Sequence, residues 1–177
     1  AVQAQDLRSA RLAVRARTSG LTAADVDLAL TEERSVVIGW LNRGTLHLVR
    51  REDYWWLHTL TTPPLYTGNA RRLAQLGVTP AAAERGVAAV ERALTAEGPL
   101  TRDQLRDRIR AVGVPTEGQA LIHLLLLACL RGVAVRGPLL HARPHRPATT
   151  DRAARPARYP SARGGAAVAG GRRGADA

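Results

Sequence analysis

The spacing of apolar positions predicts two helices at the start of the chain. Residues 7–17 place alanine, leucine and valine on one face and arginines around the rest, which is typical of an amphipathic helix. In "LTAADVDLALTEE", Thr22 and Asp25 have the spacing of a capping box. Val26 and Leu30 would form the buried stripe of this second helix.

The apolar spacing then changes from helix to strand and back. "RSVVIGWLNRGTLHLV" carries β-branched residues, turn chemistry at "NRG" and alternation in "TLHLV", so we predict a short β-hairpin. "RREDYWWLHTLT" returns to helical spacing and ends at two prolines. We expect the packing set of this helix to be Tyr54, Trp55, Leu57 and Leu60.

Helices dominate the second half of the sequence. Residues 65–78 predict a looser connecting helix, and Thr79 then N-caps another. A capping box at Thr101 and Gln104 begins the next, and "TEGQALIHLLLLACLRG" forms one more. "VAVRGPLLHA" alternates around a Gly-Pro turn, which predicts two short strands. Three helices followed by two strands over residues 79–142 are typical of a winged-helix domain.

These elements predict a mainly α protein with short β-hairpins, an α+β fold. We divide it into a first winged-helix-like unit over residues 1–64 and a second winged-helix domain over residues 65–142. Residues 143–177 form a tail rich in Arg, Pro, Gly and Ala, with few large apolar side chains. Such a composition does not offset the entropy of ordering, so we expect the tail to be disordered.

The charge of the chain is strongly basic. All 26 basic residues are arginine, and the net charge is +11. From Ala142 onward, eight arginines face Asp151 and Asp176, a net charge of +6, which leaves +5 for the other 141 residues. A basic surface favours a phosphate-rich partner, because neutralised phosphates release counterions. A GC-rich genome explains arginine in place of lysine but not the excess of positive charge.

Cysteine content and hydropathy indicate a cytoplasmic protein. Cys129 is the single cysteine, which excludes an internal disulfide and a cysteine-rich zinc module. The first residues lack the apolar core of a signal peptide. The most apolar run, Leu121 to Leu130, has about half of the length that spans a bilayer. We expect a monomer that binds neither a membrane nor a cofactor.

Four stretches of the sequence carry a resemblance to a known family. They are "VQAQD" from Val2, "LNRGTLHLV" from Leu41, "EDYWWL" from Glu52 and "EGPLTRDQLRDRI" from Glu97. Over roughly residues 1–142 the chain resembles the winged-helix DNA-binding proteins that include the bacterial AlkZ/YcaQ-type DNA glycosylases. The resemblance implies tandem winged helices around a channel for double-stranded DNA, and removal of alkylated or crosslinked purines.

The same resemblance places Gln3 and Gln5 in the family's catalytic Gln-x-Gln motif, where they would hold the attacking water and contact the sugar. A glutamine amide does not titrate near neutral pH, so it is a poor general base. An N7-alkylated purine is cationic and leaves without an acid, so an oriented water and a carbonyl dipole are what the enzyme adds. The two amides share a face only if the backbone is extended. The alternative is an ordinary helical Gln-Ala-Gln string.

Other residues are candidates for contact with DNA. Arg43, Thr45 and His47 in "RGTLH" resemble family landmarks that would lie beside the DNA or the active site. The alternative is a solvated turn followed by a half-buried strand histidine. Trp55 and Trp56 are candidates for stacking on bases, but adjacent helical positions diverge, so we expect at least one in the core.

A set of arginines in the second unit predicts a phosphate-contacting surface. It consists of Arg102, Arg106, Arg110 and Arg136, accompanied by Arg108 and Arg131. The alternative is a solvated helix face on which Asp103 and Asp107 pair with the arginines. Because the third helix of this unit is rich in leucine, we expect recognition of shape or damage rather than reading of a base sequence.

We expect no metal site, because the H-x3-H spacing of His141 and His145 has no cysteine pair nearby. The resemblance implies residues before the glutamines and a third winged helix, so we expect a truncated member, perturbed by a frameshift near Ala142. The leading hypothesis is a DNA-repair hydrolase that cleaves N-glycosidic bonds. A non-catalytic DNA-binding or regulatory module and an inactive remnant are the alternatives.

Overall fold

The computed structural model of the chain describes residues 1–139 and 148–152. Its helices are α1 (Leu7–Arg15), α2 (Ala23–Thr31), α3 (Arg51–Thr61), α4 (Leu65–Gln75), α5 (Pro80–Glu97), α6 (Arg102–Arg110) and α7 (Ala120–Leu130). Its strands are β1 (Val2–Gln3), β2 (Val36–Trp40), β3 (Leu46–Arg50), β4 (Leu100–Thr101), β5 (Ala134–Leu139) and β6 (Ala148–Arg152). The α+β fold predicted from the sequence is confirmed.

One antiparallel sheet joins the two halves of the chain. Its strands lie in the order β1-β3-β2-β5-β6-β4, so β1 and β4 are its edges. The predicted hairpin forms from β2 and β3, and Gln3 of β1 lies opposite His47 of β3. The halves meet where Ile38 of β2 lies opposite Arg136 of β5.

Helices cover both faces of this sheet in the first half. Ile38 and Leu48, which are directly opposite each other, point to the face on which α1 and α2 pack. Val49 points to the other face, where it packs against Tyr54 and Trp55 of α3. Side chains alternate along a strand, so neighbouring residues such as Leu48 and Val49 point to opposite faces of the sheet.

The largest hydrophobic cluster fills the second half. It consists of apolar side chains from α5, α6 and α7, closed by Leu73 of α4 and Leu100 of β4. Leu105, Ile109 and Leu124 have no exposed surface. The elements follow in the order α5-β4-α6-α7-β5-β6, which is the order of a winged helix with β5 and β6 as its wing.

Helix starts follow the predicted capping signals. Thr22 and Thr101 each accept a hydrogen bond from the third residue of their helix, whose side chain returns a bond to the cap. Thr79 caps α5 with proline in the first turn. The side chain of a cap satisfies N–H groups that a helix leaves open, which is why these local signals fix the starts of α2, α5 and α6.

The predicted Gly-Pro turn in the wing is wrong. Gly137 and Pro138 lie inside β5, and the register between β5 and β6 shifts between Arg136 and Leu139. A proline has no N–H for the ladder, so within a strand it sits at an irregularity of this kind.

The predicted start of the tail also requires a correction. Residues 148–152 form β6, which pairs with both β5 and β4. Strand pairing uses main-chain groups, so a segment with few apolar side chains still joins a sheet when it lies between two open edges. Residues 140–147 and 153–177 lie outside the described part of the chain.

The packing set predicted for α3 is correct in part. Tyr54 and Trp55 are buried and Leu57 is half-buried, but Leu60 is 69% exposed. His58 takes the place of Leu60 in the core. Its Nε2 lies 3.0 Å from the Cys129 carbonyl oxygen, so the ring donates a hydrogen bond from α3 to α7. Within the described residues, no helix has the length and apolar character needed to cross a bilayer.

Candidate active site at an edge of the sheet

Gln3 and Gln5 lie on an exposed face at the edge strand β1. Gln3 is in the strand, and Gln3, Ala4 and Gln5 alternate between exposed, buried and exposed. The backbone is therefore extended rather than helical, which is the condition under which the two amides share a face. Ala4 packs into the core beneath α1 and anchors the segment.

Gln5 is held by the main chain of β3. The Ala4 N–H donates to the Leu46 carbonyl at 2.7 Å, and the Leu46 N–H donates to Gln5 Oε1 at 3.2 Å. Because its oxygen accepts this bond, the Gln5 amide is oriented with its NH₂ group away from β3. The Gln3 side chain makes no hydrogen bond to any described residue.

The chain turns away from the sheet directly after Gln5. Asp6 caps α1 by accepting bonds from the Ser9 N–H at 2.9 Å and the Ser9 hydroxyl at 2.6 Å. These hydrogen bonds lower the pKa of the Asp6 carboxyl, the hydroxyl bond most of all. The cap fixes the point at which the edge strand ends, and so the position of Gln5.

His47 is the titratable residue nearest to Gln3 along the sheet. The two residues are register partners and share one face, on which His47 is half-buried. His47 Nδ1 lies 3.0 Å from the Thr45 carbonyl oxygen. A carbonyl only accepts, so Nδ1 carries the proton and Nε2 of the neutral ring is left as an acceptor.

The ring of Tyr54 lies against Gly39, the residue of β2 that is opposite His47. A Cβ built on Gly39 would lie 2.6 Å from Tyr54 Cε2. The lack of a side chain at Gly39 lets α3 approach this face closely. This pair was not predicted from the sequence, although a glycine inside the strand pattern "VVIGW" signals a close approach.

Arg43 and Thr45 lie in the turn that joins β2 to β3. Arg43 is exposed with φ of 55°, and the Gly44 N–H closes the turn on the Leu41 carbonyl at 3.0 Å. The Thr45 hydroxyl donates to the Asn42 carbonyl at 3.1 Å. Thr45 is adjacent to Leu46, the partner of Gln5, so the structure brings all five candidates from the first half to one region of the edge.

Comparison with known proteins decides the family. A family model described as "DNA glycosylase AlkZ-like" matches residues 1–174. The chain belongs to the AlkZ-like family. Among solved structures, the Streptomyces sahachiroi DNA glycosylase AlkZ is similar, with 25% sequence identity and a TM-score of 0.64.

The structural match to AlkZ covers 85% of this chain and 40% of the AlkZ chain. This AlkZ-like chain therefore spans less than half of the solved relative. No curated protein matches it.

Two of the arginines predicted to contact phosphate in the second unit of the AlkZ-like chain have acidic partners. Arg106 pairs with Asp103 at 2.6 Å, and Arg110 bonds Thr116 at 2.8 Å and Glu117 at 3.0 Å. The Arg106–Asp103 pair is one that the alternative interpretation predicted, whereas Glu117 lies beyond the end of α6.

Arg102 and Arg136 differ from these arginines. Arg102 is exposed at the start of α6, and Arg136 is half-buried in β5. Neither forms an ion pair with a residue whose side chain the structure describes.

The two tryptophans proposed for base stacking differ in exposure. Trp55 is 4% exposed and Trp56 is 46% exposed, so Trp55 is a core residue and Trp56 is accessible.

A metal site is not evident in the described ranges, 1–139 and 148–152, where no three His, Cys, Asp or Glu side chains cluster. His141 and His145 lie outside them. The Cys129 thiol is fully buried in α7, and burial raises its pKa to about 12. It is therefore a core residue rather than a nucleophile.

Proposed function

We propose that the AlkZ-like chain hydrolyses the N-glycosidic bond of alkylated or crosslinked purine nucleotides in double-stranded DNA. The single observation that carries the proposal is the pair of glutamine amides on an exposed edge, beside a histidine with a free acceptor nitrogen. Membership of the AlkZ-like family supports a glycosylase-like role in DNA repair. The predicted cytoplasmic location fits a DNA substrate.

The reaction needs little covalent chemistry from the protein. The oxygen of a water molecule forms a bond to C1′ of the deoxyribose, and the bond from C1′ to purine N9 breaks. The electron pair of that bond moves to N9 and neutralises the cationic alkylpurine. Positive charge builds on the sugar in the transition state, so oriented dipoles are the main source of stabilisation.

Gln3 and Gln5 have different roles in the proposed reaction: Gln3 binds the attacking water and Gln5 binds the nucleotide. Gln3 makes no hydrogen bond to described residues, so its carbonyl oxygen is available to accept from the attacking water. Gln5 is oriented by the Leu46 N–H, and its NH₂ group donates to an oxygen of the nucleotide. A water held in this way attacks without the entropy cost of being recruited from solvent.

His47 supplies the base that an amide cannot. Its Nδ1–H is held by the Thr45 carbonyl, so Nε2 accepts the proton that the water loses as it attacks C1′. Its register position opposite Gln3 places ring and amide on the same face. Arg43, exposed at the neighbouring turn, contacts a backbone phosphate and holds the strand at the edge.

The residues assigned to the site favour hydrolysis by water over a covalent intermediate with the protein. The sequence has no lysine, so no lysine amine is available to form a Schiff base with the sugar. The products we expect are the free purine and an intact abasic strand, without cleavage of the backbone.

A release assay tests the proposal. A duplex with radiolabelled N7-methylguanine is incubated with wild type, with the Gln3→Ala/Gln5→Ala double variant, and with Gln75→Ala, an exposed glutamine on α4. We expect release by wild type and Gln75→Ala, and at least a 100-fold loss in the double variant. Release that is equal in all three proteins would refute the assignment of the glutamines.

A second candidate function is a non-catalytic DNA-binding module. The engagement of Gln5 Oε1 with the β3 backbone favours it, because one of the two amides already has a structural task. Binding of the same duplex, measured beside release, separates the functions. Binding without release by wild type supports the module, and absence of both supports an inactive remnant.

A further inference from the structure

The six arginines of the predicted phosphate-contacting set fall into two classes according to their partners. Four of them are neutralised by carboxylates: Arg106 by Asp103, Arg108 by Glu97, Arg110 by Glu117 and Arg131 by Glu84. The pair of Arg108 is bidentate, at 2.8 and 2.7 Å. A guanidinium whose donors already face a carboxylate has little net charge to offer a phosphate.

Arg102 and Arg136 have no such partner. No carboxylate forms an ion pair with either of them among the side chains that the structure describes. Arg136 is half-buried, which makes an unbalanced charge costly, since burial removes water from the guanidinium. A half-buried guanidinium with no carboxylate partner among the described side chains is a candidate for binding an anion.

The strand register brings these two arginines together. Arg136 of β5 lies opposite Thr150 of β6, and Thr150 lies opposite Leu100 of β4. Two strand spacings of roughly 5 Å therefore separate Arg136 from Leu100. Arg102 follows Leu100 by two residues as the first residue of α6. Arg102 therefore begins α6 next to the row of β5, β6 and β4 that contains Arg136.

Electrostatics agrees with this proximity. Burial lowers the pKa of the Arg136 guanidinium, and the charge of Arg102 lowers it further. The start of α6 adds a positive potential of its own, because the first turn of a helix presents the positive end of the dipole. The charge of Arg102 and the start of α6 both favour an anion beside Arg136.

The surface that a winged helix ordinarily offers to the major groove is covered in this chain. α4 packs along α7, where the Tyr66 hydroxyl donates to the Leu130 carbonyl at 2.5 Å. The Asn69 NH₂ donates to the His123 carbonyl at 3.2 Å, and His123 Nδ1 lies 2.8 Å from Asn69 Oδ1. DNA that approaches this unit therefore meets other surfaces first, and the arginine pair lies on one of them.

We propose that Arg102 and Arg136 form a binding site for one phosphodiester group of the DNA backbone. The two guanidinium groups clamp the same phosphate from β5 and from the start of α6. This inference rests on the proposed function only in that DNA is the polyanion. It concerns the affinity for undamaged DNA and no step of N-glycosidic bond hydrolysis.

Binding of an undamaged 20-base-pair duplex, followed by fluorescence anisotropy over a range of salt concentrations, tests the site. We expect Arg102→Gln and Arg136→Gln each to weaken binding by about tenfold and to lower the salt slope by about 1. Because both act on one phosphate, the double variant lowers the slope by about 1, not 2. Arg106→Gln, whose partner is Asp103, is the matched control and keeps wild-type binding.

Charge reversal separates this site from a structural role. In Arg102→Glu, the new carboxylate pairs with Arg136, so we expect a higher melting temperature together with loss of duplex binding. If Arg102 had only a structural role, Arg102→Glu would lower the melting temperature as well as duplex binding. Unchanged binding in folded Arg102→Glu and Arg136→Gln would overturn the proposal. Purine release by the glutamine variants tests the proposed function, whereas binding of undamaged duplex by the arginine variants tests this site, so the two proposals fail separately.

Discussion

Gly39 lies under the Tyr54 ring, where no larger residue fits. A Cβ at this position would lie 2.6 Å from Tyr54 Cε2 and 3.1 Å from the hydroxyl oxygen. Such contacts force α3 away from the sheet, since packed interiors give way very little.

Gly39→Ala should therefore lower the free energy of unfolding by about 1–3 kcal/mol, measured by chemical denaturation. Gly68→Ala is the control, because Gly68 is an exposed residue of α4 with nothing within 4 Å of a Cβ. Removing a helical glycine should stabilise the protein by about 0.5–1 kcal/mol. Equal unfolding midpoints for wild type and Gly39→Ala would show that the Tyr54 contact is not tight.

Cys129 provides a probe of the core around α7. Burial raises its pKa to about 12, so at pH 8 only about one thiol in ten thousand is ionised. Alkylation by iodoacetamide at this pH should be at least about 100-fold slower in the native protein than in urea. Rates that match in the two conditions would mean that α7 is not packed as described.

At the scale of elements, local signals decide where the helices begin. The Thr101 hydroxyl accepts from the Gln104 N–H at 3.3 Å, and Gln104 Oε1 accepts from the Thr101 N–H at 2.9 Å. This capping box starts α6 directly after β4, so it also sets the position of Arg102. The phosphate site that we propose depends on it.

Thr101→Ala should lower stability by about 1 kcal/mol, because the replaced side chain leaves an N–H of α6 without its acceptor. Thermal unfolding followed by circular dichroism measures the change. Thr95→Ala is the matched control, since the Thr95 hydroxyl only donates to the Glu91 carbonyl within α5. A loss in Thr95→Ala as large as that in Thr101→Ala would contradict the account of the cap.

What the sequence predicted at this scale follows from the range of each interaction. Capping boxes, the "NRG" turn and helical spacing act over a few residues, and the corresponding elements are confirmed. β6 and the register shift at Gly137 arise from partners distant in the sequence, and local patterns did not contain them. The carboxylate partners of Arg108 and Arg131, 11 and 47 residues away, were missed for the same reason.

At the scale of the whole molecule, the sheet links the two candidate surfaces. The glutamine edge is at β1, and the arginine pair lies where β5, β6 and β4 end the sheet at the other side. A duplex bound at both surfaces would cross this sheet. The net charge of +5 on residues 1–141 favours such a path by attracting phosphates.

The candidate site was predictable from the sequence only in part. "VQAQD" and "RGTLH" named Gln3, Gln5, Arg43, Thr45 and His47 through a family resemblance, but their catalytic roles stay a prediction. The juxtaposition of Gln3 with His47 comes from the pairing of β1 with β3, across more than forty residues. Sequence spacing does not contain this pairing, which places His47 opposite Gln3.

The central claim is best tested on Gln3, because its side chain bonds no described residue and its loss should leave the fold intact. The measurement is the single-turnover rate of N7-methylguanine release with enzyme in excess, for wild type, Gln3→Ala and Gln75→Ala. We predict a fall of about 100-fold for Gln3→Ala, with duplex binding and melting temperature unchanged, and no change for Gln75→Ala. A wild-type rate in folded Gln3→Ala would contradict the claim that this edge of the sheet is the active site.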